Sequence, residues 1–259
     1  MRRLSLSLLS TLLLSCAAPA QETPHSSLEQ VLQAQDRDSH GDLRADVVLR
    51  DGAIMAERNY NGETTETLHD IRSAGKSIPA LLVGAAVARG QLATTKTVGD
   101  YWPEVAGRPA ATKPGSTYRY NSLGSYIAGR VVENASGADL EDYAARVLFA
   151  PLGITRWSWG RDVAKHPKGQ GNLSLRVAIG AVDRYADSYS YFWYAKTQDI
   201  GGQKIAVHFA SGNGGNKIYV IPARRLVVSI ASSAYGKGYG QHRSEDILKA
   251  ILKADATQM

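Results

Sequence analysis

In the run Ser73-Ala74-Gly75-Lys76, a serine and a lysine stand three residues apart. On a helix that spacing puts both side chains on one face, which brings the lysine amine within reach of the hydroxyl. A serine hydroxyl is a poor nucleophile until a base takes its proton. A lysine is such a base only when uncharged, a form that burial and a helix N-terminus favour. The same helix start aims backbone N–H groups at a developing oxyanion, and one such donor is worth about 3 kcal/mol in acyl transfer. No other serine in the chain has a lysine three positions on. The plainer alternative is a helix-capping serine beside a surface lysine.

Two further stretches bear on the same chemistry. Pro114-Gly115-Ser116-Thr117-Tyr118-Arg119-Tyr120-Asn121-Ser122-Leu123-Gly124 is a turn, an aromatic pair and a helix start. Tyr120 is one of 13 tyrosines, so a packing role stands beside a proton-transfer role. His208-Phe209-Ala210-Ser211-Gly212-Asn213-Gly214-Gly215 reads as a strand ending in a glycine turn. There a backbone N–H near Ser211 or Gly212 could complete an oxyanion hole, and glycines such as Gly212 and Gly214 let a substrate lie close to the main chain.

These residues need a scaffold. Ser27 to Gln35 predicts a helix, and the apolar runs on either side of Asp51-Gly52 predict a β-hairpin. From Ser73 the apolar spacing turns helical, with Gly90 as a stop and Pro79 tolerable near the start. Further helices are expected near Ser122 to Glu133 and Leu140 to Leu148. Strands are expected at Tyr191 to Lys196, Ile205 to Ala210, Ile218 to Ile221 and Leu226 to Ile230, then a helix from Ser244 to Lys253. Short connections make the strands an antiparallel meander. The expected fold is α/β of the α+β type: one antiparallel sheet built from both chain ends (about 40–72 and 185–259), flanked by helices, with a helical lobe inserted at about 73–184.

The first residues, Met1-Arg2-Arg3 and then Leu4 to Leu14 broken only by Ser and Thr, read as a secretory leader over 1–20, too short to span a bilayer. Two processing readings stay open. Leu13-Leu14-Ser15-Cys16 resembles a lipoprotein box that would lipidate Cys16, and Ala18-Pro19-Ala20 suits ordinary signal peptidase. Cys16 is the sole cysteine, so the remaining 21–259 has no disulfide and no thiolate metal cluster. Without Arg2 and Arg3 the chain carries 28 basic and 24 acidic residues, a net of +4 with no basic run, which argues against a nucleic-acid partner.

Taken together, Ser73-x-x-Lys76, the hairpin from Leu49-Arg50-Asp51-Gly52 to Glu57-Arg58, the Tyr120 region and the strand pair from Ser211 to Pro222 resemble the class C β-lactamase-like family of serine hydrolases. That family includes β-lactamases, D-alanyl-D-alanine peptidases, esterases and 6-aminohexanoate-dimer hydrolases. The resemblance implies a β-lactamase/transpeptidase-like fold with no cofactor or metal. It implies that Ser73 is the acylated nucleophile, Lys76 its partner and Tyr120 the second proton-transfer group. Ser122 stands where the family often has Asn, and its hydroxyl could bond Lys76 or substrate.

Two departures stand out. The Lys-Thr-Gly often found on the family's last strand is absent, with Phe209, Ala210, Ser211 and Gly212 nearest, so a cation for a substrate carboxylate is expected to be missing. Relatives also carry more helical chain between Glu104 and Lys113 and between about Leu175 and Tyr189, so the cleft is expected to be more open.

The expected activity is that of an exported serine hydrolase, periplasmic or lipid-anchored through Cys16, forming an acyl-enzyme on Ser73 with small carboxylic esters or amides. A β-lactamase or D-alanyl-D-alanine carboxypeptidase is the alternative reaction, and a non-catalytic cell-envelope binding protein of the same fold the alternative class. A Ser-His-Asp hydrolase is disfavoured because no G-x-S-x-G elbow occurs and the six histidines suggest no partner. His208 and the tryptophans Trp157, Trp159 and Trp193 read as strand and packing residues.

Overall fold

A computed structural model describes residues 24–109, 113, 120, 122–161 and 186–256. Residues 1–23, which include the expected leader and Cys16, the stretch 114–119, Asn121 and residues 162–185 lie outside that set.

Asp51 and Gly52, at φ +52° and +81°, form the positive-φ pair that a tight two-residue hairpin requires. They join β1 (Leu43–Arg50) to β2 (Ala53–Asn59), which pair antiparallel with a register shift between Val48 and Leu49. The other edge of β1 pairs antiparallel with β7 (Leu226–Ser232), so an early strand lies beside the last one. Going outward follow β6 (Asn216–Ile221), β5 (Gln203–Gly212), β4 (Trp193–Ile200) and β3 (Ser188–Ser190). The sheet is therefore seven antiparallel strands in the order β2-β1-β7-β6-β5-β4-β3, drawn from both sides of the helical segment.

One sheet face is covered by α1 (Pro24–Gln33) and α6 (Gly238–Ala256). Leu28 and Leu32 from α1, and Ile247, Leu248, Ile251 and Leu252 from α6, pack on Val207, Phe209, Tyr219, Val228 and Ile230. The α6 spacing is that of a single apolar stripe. A second, smaller core lies among the helices. There Leu82 and Ala86 of α2 (Ser77–Ala88) meet Val131 and Val132 of α4 (Leu123–Ser136) and Leu140, Tyr143 and Ala144 of α5 (Leu140–Ala144). Between α2 and α4 lies α3, a single turn over Val98–Tyr101.

Three elements differ from expectation. Tyr191 and Phe192 are not strand residues: at φ +50° and +66° they turn the chain between β3 and β4. Aromatic residues favour strands, but here burial of Phe192 competes, leaving its ring inside while the backbone turns. The last helix starts at Gly238, six residues before Ser244, because Gly240 must touch the β5–β6 turn: a Cβ on Gly240 would come 2.4 Å from the Gly214 carbonyl oxygen. The helix after Leu140 widens into a π turn over Ala145–Phe149.

Candidate active site

The turn that carries Ser73 is a 3-10 turn, Arg72–Lys76, that runs directly into α2. Arg72 enters it at φ +53°, a conformation that costs a non-glycine residue about 1 kcal/mol or more. Local contacts hold it there. Its N–H donates to Asp70 Oδ1 (2.8 Å), its guanidinium pairs with Asp70 (3.2 Å) and lies 4.0 Å over the Tyr235 ring, and the Tyr235 hydroxyl donates to the Asp70 carbonyl (3.2 Å). Ser73 thus follows a fixed corner, at the start of a helix where first-turn N–H groups lack intrahelical acceptors.

Lys76 Nζ donates to Ser73 Oγ at 2.8 Å. The lysine is 4% exposed, and its ammonium sits 5.5 Å from the centre of the Tyr120 ring. Among the described residues no carboxylate pairs with it.

The end of β5 presses against this turn. A Cβ built on Gly212 would come 2.2 Å from the Ile71 carbonyl oxygen and 3.2 Å from the Ala74 nitrogen, so only glycine allows the approach. The β5–β6 turn is held from behind. Asn216, fully buried, donates to the Asn213 and Ser232 carbonyls (2.8 Å each), Asn213 Oδ1 accepts from the Gly236 N–H (2.8 Å), and Gln241 Nε2 donates to the Gly212 carbonyl (2.8 Å).

The result is a cleft of about 280 Å³ lined by Ser73, Tyr120, Tyr194, Ser211, Gly212, Asn213 and Gln241. It brings together five residues singled out from sequence: Ser73, with Lys76 hydrogen-bonded beneath it, and Tyr120, Ser211 and Gly212. Two others stand apart from the lining. Ser122 is exposed at the N-cap of α4, where its side chain makes no capping bond. Gly214 faces Ala234 and Tyr235, where a Cβ would meet backbone at 3.0 Å. His208 is exposed on β5, and Trp157 and Trp159 pack on Phe149 with ring centres 5.0 and 6.4 Å away.

Tyr194, Asn213 and Gln241 were not singled out from sequence. Asn213 lies inside the glycine-rich run and could have been. Gln241 precedes the expected start of the last helix, and nothing local marks it. Lys217 lies on β6, opposite Ser211 of β5. Its ammonium donates to Ser211 Oγ at 3.0 Å, so a cation does stand beside the strand end where the missing Lys-Thr-Gly suggested none. Behind it, Lys196, Tyr219 and Glu245 form a buried group: the Tyr219 hydroxyl donates to Glu245 at 2.8 Å, and Lys196 donates to the same carboxylate. Burial and that carboxylate push the Tyr219 hydroxyl well above its ordinary pKa.

A family model described as Beta-lactamase matches residues 105–184. No curated protein matches the sequence. Among solved structures, a candidate 6-aminohexanoate-dimer hydrolase from Bacillus anthracis superposes with a TM-score of 0.67 at 13% identity, covering 88% of this chain and 82% of its own. A class C β-lactamase gives 0.64 at 13% identity, covering 88% and 95%. A penicillin-binding protein homologue from Caulobacter crescentus gives 0.64 at 14% identity, covering 92% and 98%. The chain therefore has the β-lactamase fold, and it carries the β-lactamase family's sequence signature over the segment that includes Tyr120.

Proposed function

We propose that this protein is an exported serine hydrolase that cleaves small carboxylic esters or amides through an acyl-enzyme on Ser73. The observation that carries the reading is the 2.8 Å contact between Lys76 Nζ and Ser73 Oγ, made in a cleft that also holds Tyr120 and the end of β5.

In the reaction Lys76 is the general base, a role that requires its uncharged form. Ser73 Oγ bonds to the acyl carbon while its proton passes to Lys76 Nζ, and the carbonyl oxygen becomes an oxyanion. Backbone N–H groups of the Ser73 turn and of the β5 end stabilise that charge. Tyr120, beside Lys76 and open to the cleft, passes a proton to the leaving oxygen or nitrogen as its bond to the acyl carbon breaks. Lys76 returns the proton it took to Tyr120; water then adds to the acyl carbon while its proton passes to Lys76, and that proton goes to Ser73 Oγ as the bond from Ser73 to the acyl carbon breaks.

Export rests on the basic start and short apolar run of 1–20, with Cys16 as the residue a lipid would modify. A β-lactamase or carboxypeptidase reaction is the second reading, and the Lys217 ammonium beside Ser211 is what favours it. A substrate panel on the purified mature protein separates the two. Short p-nitrophenyl esters are expected to turn over faster than a chromogenic cephalosporin, and the reverse order would replace the esterase reading with the β-lactamase one.

A further inference from the structure

The loop between β7 and α6 touches both walls of the cleft. On one side the Gly236 N–H donates to Asn213 Oδ1 (2.8 Å), and a Cβ on Gly214 would come 3.0 Å from the Tyr235 ring, so the β5–β6 turn rests on this loop. On the other side the Tyr235 hydroxyl donates to the Asp70 carbonyl (3.2 Å), and the Arg72 guanidinium lies 4.0 Å from the centre of the Tyr235 ring. Arg72 immediately precedes Ser73 and sits at φ +53°. A non-glycine residue keeps such a backbone only where its surroundings over-determine it. The Asp70 carboxylate that pairs with Arg72 is exposed, and solvent screening makes such a pair a weak hold. Tyr235 is half-buried and grips the corner twice, by its ring and by its hydroxyl.

We propose that Tyr235 is a positioning residue for the hydrolysis: it holds Arg72 in the left-handed conformation and thereby sets Ser73 Oγ and the N–H groups of its turn against the end of β5. With the grip gone, Arg72 relaxes towards negative φ and turns the serine that follows it. A misplacement of about 1 Å at a reacting group costs about a hundred-fold in rate. The inference rests on the reading of Ser73 as nucleophile and adds to it the distant residue that aims it.

Glycine adopts positive φ without strain and alanine does not, and that contrast tests the grip. For p-nitrophenyl acetate, Tyr235→Leu is expected to lower kcat about a hundred-fold with KM within about two-fold of wild type. Tyr235→Phe keeps the ring over Arg72 and should lose about ten-fold or less. Adding Arg72→Gly to Tyr235→Leu should bring kcat back to within about ten-fold of wild type, whereas adding Arg72→Ala should restore nothing. Wild-type kcat in Tyr235→Leu overturns the proposal, as does a loss that Arg72→Gly fails to relieve or that Arg72→Ala relieves equally. Should Tyr235→Leu not fold, Arg72→Gly and Arg72→Ala decide alone: kcat kept in the first and lowered in the second supports the grip, and equal values overturn it. Failure of the Ser73 reading would show separately, as absence of fluorophosphonate labelling in the folded wild-type protein, whatever the Tyr235 variants do.

Discussion

Two serine–lysine pairs border one cleft, and they are built differently. On the nucleophile turn, Lys76 reaches Ser73 from three residues on, within one helix start, and among the described residues an aromatic ring, that of Tyr120, stands over it. On the strand end, Lys217 reaches Ser211 from the neighbouring strand and is backed by Glu245, which Lys196 and Tyr219 also hold. A carboxylate near an ammonium keeps it charged. Among the described residues the first pair has no such carboxylate, which suits it to moving a proton. The second has one and is suited to holding a proton still. The same two residue types thus serve transfer in one place and orientation in the other, and the difference lies in what stands behind each lysine.

The comparison breaks most visibly at the first pair. Ser73→Ala and Lys76→Met are each expected to lower kcat/KM for p-nitrophenyl acetate by about a thousand-fold or more, since members of a catalytic unit fail together. The double variant should be no worse than the worse single one, and additive losses in steady-state kinetics would show that the two do not act as a unit. Tyr120→Phe removes one hydroxyl and should lower kcat by about a hundred-fold, with its largest effect on substrates whose leaving group is a poor one. A uniform loss across leaving groups would take Tyr120 out of proton delivery.

Gly212→Ala tests whether the two pairs must be held together. Its methyl would meet the Ile71 carbonyl oxygen at 2.2 Å, so the strand end and the nucleophile turn must separate. Overpacking of this kind costs about 1–3 kcal/mol, and calorimetry should record a lower Tm together with slower acylation. Unchanged acylation with a lowered Tm would mean that the close approach serves stability alone.

The smallest effect is expected far from the cleft, at Asp46 on β1. It is fully buried, and burial pushes its carboxyl up to about 7 although Tyr60 donates a hydrogen bond to it (2.9 Å). The unfolded chain releases this proton near pH 4 and the folded protein keeps it until near 7, so folding loses stability from Asp46 as pH rises through that window. Asp46→Asn, which carries no charge to bury, should match the wild-type Tm near pH 4, exceed it by a few kelvin at pH 8, and leave ester hydrolysis intact. Parallel Tm curves across that range would contradict the shift.

How much of this was legible beforehand follows from the range of each signal. The Asp51-Gly52 hairpin and the Ser73–Lys76 spacing are local, and local chemistry alone dictates them. The sheet built from both chain ends was legible as well, because a hairpin and a meander separated by helices have few other ways to bury their apolar faces. The Ser211–Lys217 pair was not, because it depends on the register of two strands. The start of α6 was hidden by Gly238, Tyr239 and Gly240, which read as a loop, yet Gly240 is required where the helix meets the Gly214 carbonyl, and Gln241 follows it into the cleft. Tyr191 and Phe192 misled for the opposite reason: their types favour strand while their backbone turns.

The central claim is that Ser73 is the nucleophile. Intact-mass measurement and peptide mapping after treatment with a fluorophosphonate test it most directly. One adduct on the peptide containing Ser73, absent from folded Ser73→Ala, is the predicted result; no adduct on folded wild-type protein, or one that persists in Ser73→Ala, would contradict it.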